Sequence, residues 1–536
     1  MTPFSTKKRR ARALLAAVAL VIAVPASTLG AHGYNTASDP YISLVGNYAP
    51  GGSTPGDLTA LINSGETFDD VLFEGIPDGI GAVPGDGWVD LYVAHEESPV
   101  PFGGKADRQA SSVTRVRVDI AERSITEMEV VLGPEAGFIR FCSSFMAGPE
   151  HGFPNYTLFL NEEADETIHS VPAGAVYGAD PAIAPNRQAG YSVWFDTVTG
   201  EFDVMSRAGR HNHENSVVVP GGWKNIAILS GDDTFNAPSS QVYLYTAKDA
   251  GQLMADKGQL WAFQVTATDD GSVDPYDPFN DANDYLEMAA GDDWSGRFIH
   301  VPTDVARGVT GEAPQAALEN WSNANNAFQF VRVEDIAYDP DDPRVIYFAD
   351  TGNTRMFESA ATGRLARFLS SNPINKPWID ADGRVFKMVL NEKDPRIVDS
   401  FSIVAEGWHR TQNADGTTTT IVAGMGMRSP DNLDVGHHSL MLQEDTSAAK
   451  IWRYDMAGTW THVATATQGG AETSGIVDVS AWFGSGWWAL DVQSHVDLPQ
   501  FNDPGYTWVG PPTTATGAFA KRMEDGQLLL MYLPGS

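Results

Sequence analysis

Residues 191–205 read YSVWFDTVTGEFDVM. A run of β-branched and aromatic residues meets Thr199-Gly200, and a second short run follows, which is the pattern of two antiparallel strands joined by a tight turn. The same unit recurs along the chain: GWVDLYVAHEE at 87–97, YTLFLNEE at 156–163, NIAILSGDD at 225–233, QVYLYTA at 241–247, RVIYFADTGN at 344–353 and KIWRYDM at 450–456. Each is a short apolar strand closed by Gly, Asp or Asn, and several end in an acid. Long amphipathic helical periods are scarce. Residues 247–260 and 311–321 predict short helices inserted in loops.

A chain of 536 residues with 52 glycines and 32 prolines spread evenly, built from such hairpins, predicts an all-β fold. A β-propeller suits it, because radial closure leaves only short, protected sheet edges; a pair of large sandwiches is the alternative. The expectation is a six-bladed propeller, although no strict sequence period gives the number of blades.

The N-terminus carries Lys7, Lys8, Arg9, Arg10 and Arg12, then an apolar run over 13–26, then small residues at 24–26 and 29–31. This order predicts a secretory signal over 1–31, cleaved near 26 or 31, leaving 32–536 as a single propeller domain. Arg9-Arg10 resembles a twin-arginine signal, but Arg12 stands where that pattern prefers an apolar residue. The run is too short to span a bilayer. The expected location is therefore secreted or periplasmic, in the cell envelope of a bacterium, with no membrane span. The formal charge is −34, and −39 once the five cations of the leader are removed. Such a surface repels nucleic acid and anionic lipid, while surplus carboxylates are the hard donors that Ca²⁺ prefers. A monomer is expected.

The chain has one cysteine, Cys142, in FIRFCSSFMAGPE (138–150). It has no partner for an internal disulfide. Other segments combine charge with turn chemistry: YVAHEES with His95 and Glu96; NEE with Asn161, Glu162 and Glu163; GRHNHENSVVVPGG with Arg210, His213 and Glu214; QFVRVEDIAYDP with Arg332 and Glu334, two apart and so on one strand face. Each alone reads equally as a solvated strand end, an exposed ion pair or, for the cysteine, a small buried hydrophobe. Residues 269–284, DDGSVDPYDPFNDAND, read as a solvated acidic loop, with Ca²⁺ binding as the alternative. No P-loop, dinucleotide-binding glycine pattern, G-x-S-x-G or H-E-x-x-H occurs.

Taken in order, RFCSSFMAGP, the acid pair after YTLFL, G-R-x-x-H-E, RVED and SPDNLDV (Asp431, Asn432) resemble the PhoX-type alkaline phosphatases over residues 85–495. These are exported bacterial β-propeller enzymes that hydrolyse phosphomonoesters at an iron–calcium centre. The resemblance implies Fe³⁺ and Ca²⁺ as cofactors and a small phosphoester as substrate, attacked by metal-activated water or oxide. It implies Cys142 as an iron-bridging thiolate, Glu214 as an iron ligand, and Glu162 and Glu163 as a metal-holding pair. Arg332 resembles the phosphate-binding arginine, with Glu334 beside it as a catalytic-site metal ligand; Glu96 and Asp431 are weaker matches, implied as calcium ligands or as groups just behind the ligands. The sequence departs from the pattern at Asn161, where many relatives have cysteine. A further acid pair, Glu444 and Asp445, suggests another metal site. Two other classes compete: a non-catalytic calcium-stabilised propeller that binds a protein or polymer, and a calcium-dependent propeller lactonase. Neither calls for a thiolate or a phosphate-binding arginine.

Overall fold

The computed structural model describes residues 33–96, 110–165, 189–234, 240–352, 354–367, 378–412, 417–421, 426–446, 448–467, 471–494 and 526–536. The leader expected over 1–31 lies outside them. The 191–205 hairpin forms as read, with Val193 opposite Val204 and Gly200 at φ +71° in the turn.

Among the described residues, six antiparallel units of four strands follow one another along the chain, the fifth extended by Ile42–Leu44 and the third and fourth joined into one larger sheet. Their first strands are β1 (Pro77–Pro84), β2 (Phe141–Ala147), β3 (His213–Val219), β4 (Val333–Asp339), β5 (Pro430–Val435) and β6 (Ala471–Asp478). β1 packs on β2, β2 on β3, and so on to β6, which packs back on β1. The ring so closed is a β-propeller with these six strands lining its axis. The last sheet is completed by Asp57–Asn63, which pairs with Gln527–Tyr532 and ties the two ends of the chain together.

Six apolar clusters hold the ring, one between each pair of neighbouring sheets. Between the first and second sheets, Tyr92 and Ala94 meet Phe141, Leu158 and Leu160. Between the third and fourth, Leu229, Leu244 and Phe263 meet Phe348, Phe386 and Phe401. Each strand is thus covered on both faces, and this explains why the sequence shows near-continuous apolar runs instead of strict alternation.

Two additions decorate the ring. Asp293–His300 bridges the third and fourth sheets, and a five-stranded sheet of residues 354–421 is inserted in the fourth. The helices expected in loops appear as Ala250–Met254, capped by the Asp249 side chain on the Gln252 N–H, and Pro314–Ala324, which opens with proline at its first position. Asp274 and Asp277 of the acidic loop accept N–H bonds from Tyr276 and Phe279, the pattern of Asx turns on a solvated loop. Among the described residues no helix is long and apolar enough to cross a membrane.

Candidate metal centre at one mouth of the channel

Each axial strand begins the same way. Its second residue is Asp78 in β1, Cys142 in β2, Glu214 in β3, Glu334 in β4, Asp431 in β5 and Glu472 in β6. In β1, β3, β4 and β5 the pairing register shifts directly after the first residue. A bulge at the rim re-aims a side chain, and here the six ligand-type residues share one end of the channel. Two glycines let the strands come close at this end. A Cβ on Gly79 would lie 2.2 Å from the Ser144 nitrogen of β2, and one on Gly475 would lie 2.3 Å from the Asp78 carbonyl oxygen.

A second tier comes from the residues just after the second strand of the first, second, third and fifth sheets: Glu96, Glu163, Asp233 and Asp445. Four groups of potential ligands result: Asp78, Glu96 and Cys142; Cys142, Glu163 and Glu214; Glu214, Glu334 and Asp431; Asp431, Asp445 and Glu472. In each, the ligand atoms lie within 4.8 Å of one another, and neighbouring groups share a member. Nine side chains, eight of them carboxylates, thus form one arc around the axis. Gln493 bridges its two ends, donating to both Asp78 and Glu472. The channel continues below the arc into a cavity of about 270 Å³, lined further along the same six strands.

Of the residues singled out from the sequence, Cys142, Glu163, Glu214, Glu334, Glu96 and Asp431 come together here. Glu162, expected beside Glu163 in the metal-holding pair, lies outside these groups. Its Oε1 accepts the Ile139 N–H at 3.0 Å and its Oε2 the Tyr191 N–H at 3.1 Å, both in loops feeding this sheet. Glu444 behaves alike, accepting from the Arg428 N–H and the Trp452 indole, while its neighbour Asp445 joins the arc. Asp350, at the same place in the fourth sheet, accepts from the Val331, Arg332 and Gly352 N–H groups. In the second and fifth sheets the strand's two-residue period separates the pair: Glu162 and Glu444 latch backbone loops, and the next residues, Glu163 and Asp445, join the arc.

Sequence reasoning missed Asp78, Asp233 and Glu472. EGIPDGI and GGAETSGI offer no acid pair or histidine to draw notice. The signal that could have found Asp78 and Glu472 is an acid in second position of a sheet's opening strand; for Asp233 it is the acid pair Asp232-Asp233 that ends NIAILSGDD. His211 and His213 stack in the interior with ring centroids 3.6 Å apart, beside Tyr243, and His213 Nε2 meets the Gly209 carbonyl of the preceding loop at 3.2 Å.

The electrostatics are those of negative charge crowded out of water. The Cys142 Sγ–H donates to Asp78 Oδ2 at 3.1 Å, and burial, then Asp78 and Glu214, push the thiol well above its usual range. Burial and Glu163 raise Glu214; burial and Asp233 raise Glu163 and Glu334; burial and Glu472 raise Asp431. A thiolate at Cys142 therefore requires cations beside it. Both oxygens of Glu214 are buried without a hydrogen-bond partner.

Arg332 stands at the edge of the arc. Asp233 accepts from its Nε at 2.6 Å and its Nη2 at 2.5 Å, and Glu334 lies 3.3 Å from Nη2. Asp233 is fully buried, whereas the arginine side chain keeps 13 % of its surface exposed. Burial disfavours the charge, but Asp233 and Glu334 outweigh it, so the guanidinium stays charged. The fork is fixed by a bidentate pair on one side.

The family model described as alkaline phosphatase PhoX matches residues 171–477. Among solved structures, PhoX of Pseudomonas fluorescens in complex with vanadate, a transition state analogue, aligns at 14 % identity and TM-score 0.56, over 94 % of this chain and 97 % of that one. The alpha-L-arabinanase of Penicillium chrysogenum with arabinobiose aligns at 8 % identity over 89 % and 98 % of the two chains, but its TM-score of 0.38 carries no argument. No curated protein matches the sequence.

Proposed function

The chain belongs to the alkaline phosphatase PhoX family, and from that premise we propose that it is an exported phosphatase that hydrolyses phosphomonoesters at a mixed Fe³⁺ and Ca²⁺ centre. The observation that carries this reading is the arc of eight carboxylates and one thiol with a fixed arginine at its edge.

The donor set fits cations. Buried carboxylates are stable only when protonated, paired or metal-bound, and the oxygens of Glu214 have no partner of their own. The sulfur of Cys142 is a soft donor suited to iron, and the carboxylates suit Ca²⁺ and Fe³⁺. Cys142, Glu163 and Glu214 would hold iron; Glu96, Glu334 and Asp431, with Asp78, Asp445 and Glu472, would hold the remaining ions. When bound, such ions lower the pKa of water and neutralise phosphate oxygens. The chain's own part is placement. Arg332 presents its guanidinium to the oxygens of a phosphoryl group, Asp233 keeps it from swinging, and Glu334 sets the second side of the same contact. Glu162, Asp350 and Glu444 hold the backbone loops from which these groups project.

The test is elemental analysis of the purified protein together with p-nitrophenyl phosphate turnover, with and without chelator. Iron and calcium in the protein, loss of turnover on chelation, inhibition by vanadate, and loss of turnover in Arg332→Ala with metal content kept are the expected results. Absence of iron, or turnover indifferent to chelator, would overturn the reading.

A further inference from the structure

At the opposite ends of the strands that carry Asp232 and Asp233, the surface chemistry inverts. An open groove of about 440 Å³ is lined by Lys224, Lys248, Lys257, Lys393 and Arg396 against a single acid, Asp394, with Trp223 and Trp261 between them. Four of the chain's eleven lysines thus meet in one place on a protein with 69 acidic residues against 35 basic ones. All five cations are exposed and both tryptophans half-buried. Asp394 is already closed on Arg396 at 2.6 Å. Lys393 has only Glu392, at 3.9 Å, and Lys224, Lys248 and Lys257 form no salt bridge with any described residue. Three of the five cations thus stand together without an acid partner, on a surface rich in acids that could have paired them, and this marks a place kept for an external anion.

The floor narrows the class of anion. The Trp223 indole N–H donates to the Asn391 carbonyl at 2.9 Å and that of Trp261 to Thr246 Oγ1 at 3.0 Å. Trp261 already lies under the Arg396 guanidinium, 4.9 Å from its ring centroid, with His300 edge-on at 5.2 Å, so the half-buried Trp223 is the indole that offers ring surface and no free donor, which suits the C–H face of a sugar ring. Lysine ammoniums are flexible point charges that meet acidic groups without a fixed fork. A duplex or a bilayer needs a broad cationic face, and the rest of this surface repels one. A thin single chain lying in the groove sits within a Debye length, about 8 Å, of the lysines and is screened from the acids beyond. We propose that this groove binds an acidic polysaccharide, with uronate groups on the lysines and a sugar ring on Trp223. Ile226–Asp232 runs from the groove to the metal mouth, seven residues or roughly 20 Å, so a polymer held here leaves the mouth open.

The test titrates the full chain with a uronic-acid hexasaccharide and, separately, with a neutral glucose hexasaccharide by calorimetry, at low and high salt. The uronate should bind and the neutral sugar should not. Binding should weaken by at least about tenfold with added salt and in Lys224→Ala/Lys248→Ala, and persist in Lys224→Arg/Lys248→Arg. Turnover of p-nitrophenyl phosphate should stay within about twofold of the parent in both variants, since neither residue touches the metal arc. No uronate binding, equal binding of the neutral sugar, an unchanged affinity in the alanine variant, or tighter binding of a single-stranded oligonucleotide or of phosphatidylserine vesicles would overturn the proposal.

Discussion

Replacing Asp233 with asparagine changes one charge and almost no volume. The carboxylate accepts two N–H bonds from Arg332, at 2.6 and 2.5 Å. An amide offers one acceptor, so one arginine N–H faces an N–H₂ group instead. A hydrogen bond to a charged partner is worth about 1.5–3 kcal/mol, and breaking a buried ion pair costs about 3–5 kcal/mol. Two effects reduce that figure here. Glu334 remains 3.3 Å from Nη2, and removal of Asp233 relieves Glu163 and Glu334, which its charge pushes up. The net loss in arginine placement is about 2–3 kcal/mol, or roughly 30- to 150-fold in kcat/KM. The assay is steady-state hydrolysis of p-nitrophenyl phosphate by metal-loaded protein, with iron and calcium measured on the same sample. Asp233→Asn should lose activity at constant metal content, and Asp233→Asn/Arg332→Ala should be no worse than Arg332→Ala alone, because the two residues act as a unit. A kcat/KM within about threefold of the parent, or additive losses in the double variant, would refute the positioning role.

Cys142→Ser keeps a donor to Asp78 but exchanges a soft ligand for a hard one; iron should be lost with calcium largely kept, and full iron occupancy on elemental analysis would count against the thiolate. Glu162→Gln places an N–H₂ group against one of two backbone N–H donors, so chemical denaturation should show a loss of about 1–3 kcal/mol at unchanged metal content; loss of metal would restore Glu162 to the ligand set. Chelated protein should become less stable as pH rises. Glu162 titrates at about 7, Asp350 at about 6 and Asp434 at about 8, each raised first by burial. The folded state therefore holds protons that the unfolded chain, with carboxyl pKa values near 4, releases. The Tm of chelated protein should fall between about pH 5 and 8 and recover with added metal; a rise over that window would contradict the assignment.

Much of the centre was legible because its residues sit beside recognisable strands. Cys142 stood out as the lone sulfur, Glu214 by the histidines before it, and Arg332 and Glu334 by their two-residue spacing. Asp78 and Glu472 were illegible for the opposite reason: they open strands bounded by glycine, and nothing local distinguishes them from turn acids. Glu162 and Glu163 look alike in a line, whereas the strand sends the first to the backbone of a neighbouring loop and the second to the axis. The basic groove was invisible, since Lys224, Lys248, Lys257 and Lys393 are spread over 170 residues.

The sequence by itself determined the local matters: strands with apolar faces on both sides, turns where glycine and aspartate fall, short helices in two loops, and a surplus of negative charge that needs cations. These follow from propensity and periodicity within a few residues. Only the tertiary structure decided which acids meet. Ring closure brings the second residue of six strands, separated by nearly 400 positions from Asp78 to Glu472, to one end of one channel, and a rim bulge in four of these strands falls at that residue. Proximity of this kind depends on how sheets pack around an axis, and no short window of sequence records it.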